Sequence, residues 1–140
     1  MSDAVRALGT TISKGTTTPV LIGGLTSIGG IEITSETMDV TTLDSTGGYR
    51  EFIGTFKDGG EVPLEGYFYA GDTGQTAMQT SMDAGLAEDY AITFPTTPAW
   101  AWKFKGVVTG FKVGDVDLDG AIMFGTTIKV SGKPVLAAVV

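Results

Sequence analysis

The decapeptide EVPLEGYFYA, residues 61–70, alternates its side chains as a half-buried strand does. Val62, Leu64 and Phe68 point one way, with Gly66 between them. Glu61, Glu65, Tyr67 and Tyr69 point the other way. Pro63 has no ladder donor, which predicts an edge or a bulge there. The same period of two returns downstream. Tyr90, Ile92 and Phe94 share a face and stop at Pro95. In 100–106 the spacing sends Trp100, Trp102 and Phe104 inward and Lys103 and Lys105 to solvent. Residues 107–113 continue that strand, and 121–130 form its hairpin partner with Ile122, Phe124, Ile128 and Val130 on one face. Shorter strands are expected at 8–13, at 38–42 and, interrupted by Gly29 and Gly30, at 25–34. Many short alternating segments must pair and bury one face. The expected fold is therefore mainly β: an antiparallel β-sandwich or partly closed barrel, in a single domain over 1–140.

One helix breaks the pattern. Asp72 and Gln75 have capping-box spacing, with Asp in place of the usual Ser or Thr. Ala77, Met78, Ser81, Met82 and Gly85 make a narrow stripe, and Gly85 suits a C-terminal stop. The spacing predicts an α-helix over about 73–85, packed on one side of the sheet.

Residues 43–60 read as a long loop punctuated by the glycine pairs 47–48 and 59–60. This segment is charged at Arg50, Glu51, Lys57 and Asp58, yet it also carries Tyr49, Phe52, Ile53 and Phe56. A polar loop with so many large apolar groups covers something, either its own domain or a neighbouring subunit. Tyr49, Arg50, Phe52, Ile53 and Phe56 are the candidate interface residues there. Tyr67 and Tyr69 join them, as amphipathic rings on the wetter face of their strand. Residues 1–8 read as an N-terminal arm and 133–140 as a C-terminal segment.

The composition removes most chemistry. No Cys and no His occur among the 140 residues, so thiolate catalysis, disulfides and the commonest zinc ligand and general base are absent. No nucleophile elbow, phosphate loop or dinucleotide fingerprint is present. Asp115, Asp117 and Asp119 space like the start of a calcium loop, but Thr126 stands where the final Glu belongs. No catalytic residue, cofactor or metal is expected. The net charge of −7 argues against a DNA-binding surface. No apolar run is long enough to span a bilayer as a helix. The N-terminus lacks the basic-then-apolar order of a secretory signal.

The block DVTTLDSTGGYREFIGTFKDGGEVPLEG, followed in order by ITFP, FKGVVTGF and KVSGKPVL, resembles the major tail tube proteins of long-tailed bacteriophages. The resemblance runs from about Gly9 to Leu136. It implies a structural virion protein that polymerises as stacked hexameric rings around a channel for DNA. It also implies assembly in the host bacterial cytoplasm, a place in the virion tail, and tape measure and tail terminator proteins as partners. Genomic DNA would pass without specific binding, and Asp115, Asp117 and Asp119 would line the channel. Two alternatives stand beside it: a secretion-system tube protein of the same architecture, and a β-sandwich surface binding module.

Overall fold

The structure, a computed structural model, describes residues 6–15, 19–114, 116, 118 and 120–138. The first five residues of the expected arm and Asp115, Asp117 and Asp119 lie outside the described residues. An antiparallel seven-stranded sheet, curled into a half-barrel, dominates the molecule. Its strands are β1 (Thr11–Lys14), β2 (Val20–Leu21), β3 (Leu25–Ile28), β6 (Glu61–Tyr67), β7 (Glu88–Phe94), β8 (Trp100–Gly114) and β9 (Met123–Ala138). They run in the order β2-β1-β7-β8-β9-β6-β3. Two further strands, β4 (Thr34–Asp39) and β5 (Phe52–Asp58), pair only with each other.

The concave face of the sheet holds the core, and α1 (Thr73–Ala84) lies over it against β8, β2 and β1. Strand β6 follows its alternation as far as Tyr67: Val62, Leu64 and Gly66 are buried, while Glu61, Pro63, Glu65 and Tyr67 are exposed. The strand ends there, short of residue 70, and Phe68, assigned to the inner face, is exposed. Ile12, Met78, Tyr90, Ile92, Phe104, Phe124 and Ile128 complete the interior. Tyr90 stacks on Phe104, and Phe111 meets Phe124 edge on. Pro63 sits in an interior strand, between β9 and β3, rather than at an edge. Its carbonyl accepts from the Gly29 amide just where β3 ends, so the missing donor faces a ladder that has already stopped.

The helix forms where its caps predict. Asp72 Oδ2 accepts from the Gln75 amide at 3.0 Å, and Gly85 closes the last turn in the left-handed region at φ 66°. The buried stripe differs from the expected one. It comprises Gly74, Gln75, Met78 and Ser81, while Met82 is exposed. The first turn approaches the β2 segment so closely that a Cβ on Gly74 would fall on the backbone of Leu21 and Ile22. That contact rotates the helix and leaves Met82 on the outside.

Several boundaries shift. β3 stops at Ile28, β4 begins at Thr34 and ends at Asp39, and β1 begins at Thr11. Residues 52–58, expected within a loop, form β5, because they pair with 34–39 and not with the main sheet. Trp100 is 43% exposed and Ile122 44%, so neither joins the inward row assigned to it. Trp100 pairs with Ala138, and at that end of β8 it is Ala101 that is buried, since the register shift between Lys103 and Lys105 changes which residues face inward. The expected C-terminal segment continues β9 to Ala138. Lys105 pairs with Ser131 and Lys103 with Val135, so Phe104 alone stands opposite Gly132, Lys133 and Pro134. The strand absorbs its two breakers as a bulge, with Gly132 at φ 81°.

Candidate assembly interface

The hairpin β4–β5 is a strand pair without a core of its own. Every residue of both strands is exposed. Met38 stands opposite Ile53, and Phe52 opposite Asp39. Adjacent residues of a strand point to opposite sides, so Phe52 and Ile53 make both faces of the hairpin apolar. Phe56 is 83% exposed. A lone two-stranded hairpin is marginal in water. Burying each of these side chains would contribute roughly 1.5–3 kcal/mol.

The connection between the two strands is tied tightly. Glu51 donates its amide to Thr41 Oγ1 at 2.8 Å, and Thr41 donates its own amide to Asp39 Oδ1 at 2.9 Å. Thr42 Oγ1 donates to Asp44 Oδ1 at 2.6 Å, and Ser45 Oγ donates to Glu51 Oε2 at 2.9 Å. The hydroxyl of Thr42 holds the Asp44 carboxyl below the usual carboxylate range. Thr41, through its side chain and amide, does the same for Asp39, with Arg50 adding to it from 2.9 Å. Leu43 and Tyr49 project from this tip into solvent. The hydroxyl-rich sequence TTLDS thus builds a preorganised acidic knob around one bare leucine.

The base of the hairpin is fastened to the body. Lys129 Nζ lies 3.0 Å from Asp58 Oδ1, and the Gly60 amide donates to the same carboxylate at 2.7 Å. That amide, and then Lys129, lower the Asp58 carboxyl. A cleft of about 620 Å³ opens beside this junction, between the hairpin base and the β9 bulge.

Of the expected interface residues, Tyr49, Arg50, Phe52, Ile53 and Phe56 all belong to this hairpin. Tyr67 and Tyr69 lie apart from it, at the opposite end of β6 and beyond, both about half exposed. The structure therefore presents two separate aromatic surfaces. Two arrangements escaped the sequence reading. Gln75 does not reach back to its N-cap. Its Nε2 donates to the carbonyls of Gly23 and Tyr67 and its Oε1 accepts from the Tyr69 amide, all within 3.0 Å, so it pins three segments together. Lys14 Nζ meets Glu88 Oε2 at 2.7 Å, with Ser81 Oγ donating to the same oxygen. Burial pushes the Glu88 carboxyl up, but the bonds from Lys14 and Ser81 outweigh it and hold it below its ordinary value. A half-buried Glu–Lys pair on one sheet face carries no sequence motif. Among the described residues no group of carboxylates is placed to hold a metal.

The lambda phage tail tube protein family matches residues 18–137, a span that includes the hairpin, the helix and both long strands. The chain belongs to that family. Among solved structures, this tail tube protein is similar to the subunit in the tail of an empty gene transfer agent particle refined with C6 symmetry. The TM-score is 0.76 at 23% identity, over 96% of this chain and 100% of that one. It also resembles a chain of the SPP1 tail tube, with a TM-score of 0.74 at 14% identity, over 98% of this chain and 81% of the other. A chain of an extracellular contractile injection system sheath–tube complex gives a TM-score of 0.74 at 14% identity, over 98% and 93%. Among curated protein sequences, none matches the chain.

Proposed function

We propose that this tail tube protein is a purely structural subunit, without catalysis, whose copies close into hexameric rings that stack around a bore. The bore would carry the genome out of the virion. The observation that carries the reading is the β4–β5 hairpin, which displays apolar side chains on both faces and finds no cover among the described residues. Neighbouring copies are the cover it needs. A ring requires heterologous contacts between two unlike patches, and the hairpin and the Tyr67–Tyr69 surface are two such patches. The tail of the virion is its place, after assembly in the host bacterial cytoplasm, with a tape measure and a tail terminator as further partners. Asp115, Asp117 and Asp119 would line the bore, where carboxylates repel phosphate and leave DNA free to slide. A tube of a contractile injection system is the second reading, favoured by the shared fold.

Electron micrographs of the concentrated chain provide the test. Rings or tubes with six-fold end views are expected, and Tyr67→Ala with Tyr69→Ala should lose them while circular dichroism stays unchanged. Small globules from the unaltered chain at every concentration would refute a self-assembling tube. Normal tubes from the double variant would remove the tyrosine face from the interface.

A further inference from the structure

The cleft at the hairpin base has an apolar floor in the buried Val130 and Pro134, with the half-exposed Ile33 beside them, and its rim carries Lys57, Lys129, Lys133 and Asp58. Lys129 is already paired with Asp58. Among the described residues, Lys57 and Lys133 have no ion pair. Two uncompensated ammonium groups therefore flank an apolar hollow in a chain of net charge −7. The hairpin tip is its chemical complement. It offers an exposed apolar side chain, Leu43, on the same tip as the carboxylates of Asp44 and Glu51, which hold hydroxyl partners but no cation among the described residues.

The tip cannot enter its own cleft. Six residue steps separate Thr34 from Val40, roughly 20 Å of strand. The ladder and the Thr41 and Thr42 bonds hold the tip away from the base. Resting on the tube-subunit reading above, we propose that the cleft receives the hairpin tip of a second copy, with Leu43 on the apolar floor and Asp44 and Glu51 facing Lys57 and Lys133. The contact joins unlike ends of the same element. It therefore repeats from copy to copy, as a polymer requires. Opposite charges at the rim steer the encounter and fix its register, while the leucine supplies burial. The Thr42 hydroxyl keeps the tip carboxylate ionised in mild acid, ready for its partner.

Charge reversal tests the match. Asp44→Lys with Glu51→Lys makes a tip variant, and Lys57→Glu with Lys133→Glu makes a cleft variant. All four positions are exposed, so both variants should fold, as circular dichroism would verify. Each should raise the protein concentration needed for polymerisation by more than about tenfold. A chain carrying all four changes should recover most of that loss. Phe52→Ser with Phe56→Ser serves as the control for the hairpin itself. If that control still polymerises normally, the tube-subunit reading of the hairpin fails. If the control is dead but the fourfold variant shows no rescue, the hairpin docks elsewhere and the cleft is not its seat. Reversals without effect on polymerisation overturn the proposal outright. So does a cleft variant that polymerises normally but loses affinity for DNA, which would make the lysines a phosphate contact.

Discussion

Strands β6 and β5 are the same length and similarly rich in large side chains, yet they meet opposite fates. In β6, every second residue is buried within the curled sheet. In β5, none is. The difference lies in partners. β6 has β9 on one side and β3 on the other, and its inner side chains join the core of the curled sheet. β5 pairs only with β4 and touches β9 at its base, and none of its residues is buried by the described residues. One region completes its core within the chain, and the other leaves it unfinished. Stability should therefore be decided in the sheet and association in the hairpin, with little exchange between them.

The largest separation is expected from two phenylalanines. Phe124→Ala empties a fully enclosed site in the sheet and should cost about 3–5 kcal/mol of folding stability. Phe56→Ala should leave the stability of the isolated subunit within about 0.5 kcal/mol, since it removes only exposed surface. Urea titrations of both, at concentrations below assembly, would measure this. A Phe56→Ala subunit destabilised by several kcal/mol would mean that the hairpin folds back on its own body.

A smaller effect sharpens the body side. Alanine normally favours a helix over glycine by about 1 kcal/mol. Gly74→Ala should nevertheless destabilise, by roughly 2 kcal/mol, because the added methyl falls on the β2 backbone and must push α1 off the sheet. Thermal melts would show a lowered midpoint. A raised midpoint would mean that the helix is free to move outward.

The smallest effect concerns charge. Glu88 keeps its proton less readily in the folded state than its ordinary value of 4.5 implies. Its stabilising contribution is thus complete above that value and disappears as pH falls through the lowered folded value. Glu88→Gln should cost about 1–2 kcal/mol at neutral pH, and the gap to the unaltered chain should narrow below pH 4.5. The hairpin pair Arg50–Asp39, fully at the surface, should show almost no such cost when broken. A pH-independent gap at Glu88 would assign its role to packing.

What the sequence made legible follows the same division. β6, β7 and the ends of α1 were readable because burial inside one chain writes itself as alternation, and the ends as an Asp before the helix and a Gly after it. The strand FIGTFKD was not. Neither of its faces is buried by the chain, so its residues show no inward and outward rhythm, and its flanking glycines read as loop. Val135 and Leu136 were missed for a different reason: Gly132 and Pro134 ordinarily end a strand, and only the pairing of Ser131 and Val135 across Phe104 carries β9 past them. Trp100 was placed inward by its spacing, but the irregularity between Lys103 and Lys105 breaks that spacing and buries Ala101 instead. The large apolar groups at 49–56, all exposed in the structure, stood out in the sequence because such groups among charges are conspicuous at any geometry. The cleft was not found, since its walls come from residues some 70 positions apart, joined by the Asp58–Lys129 pair and by the Val130 amide on the Gly60 carbonyl.

That fastened base and distant acidic knob give the subunit a direction. A column built by seating each knob in the next hollow has unlike ends: one shows a ring of bare leucines among carboxylates, the other a ring of vacant lysine-edged hollows. The protein that starts such a column and the one that finishes it cannot be interchangeable. One must present a basic, apolar-floored surface and the other an acidic, apolar plug, so the order of tail construction would be written into the charge of its two caps.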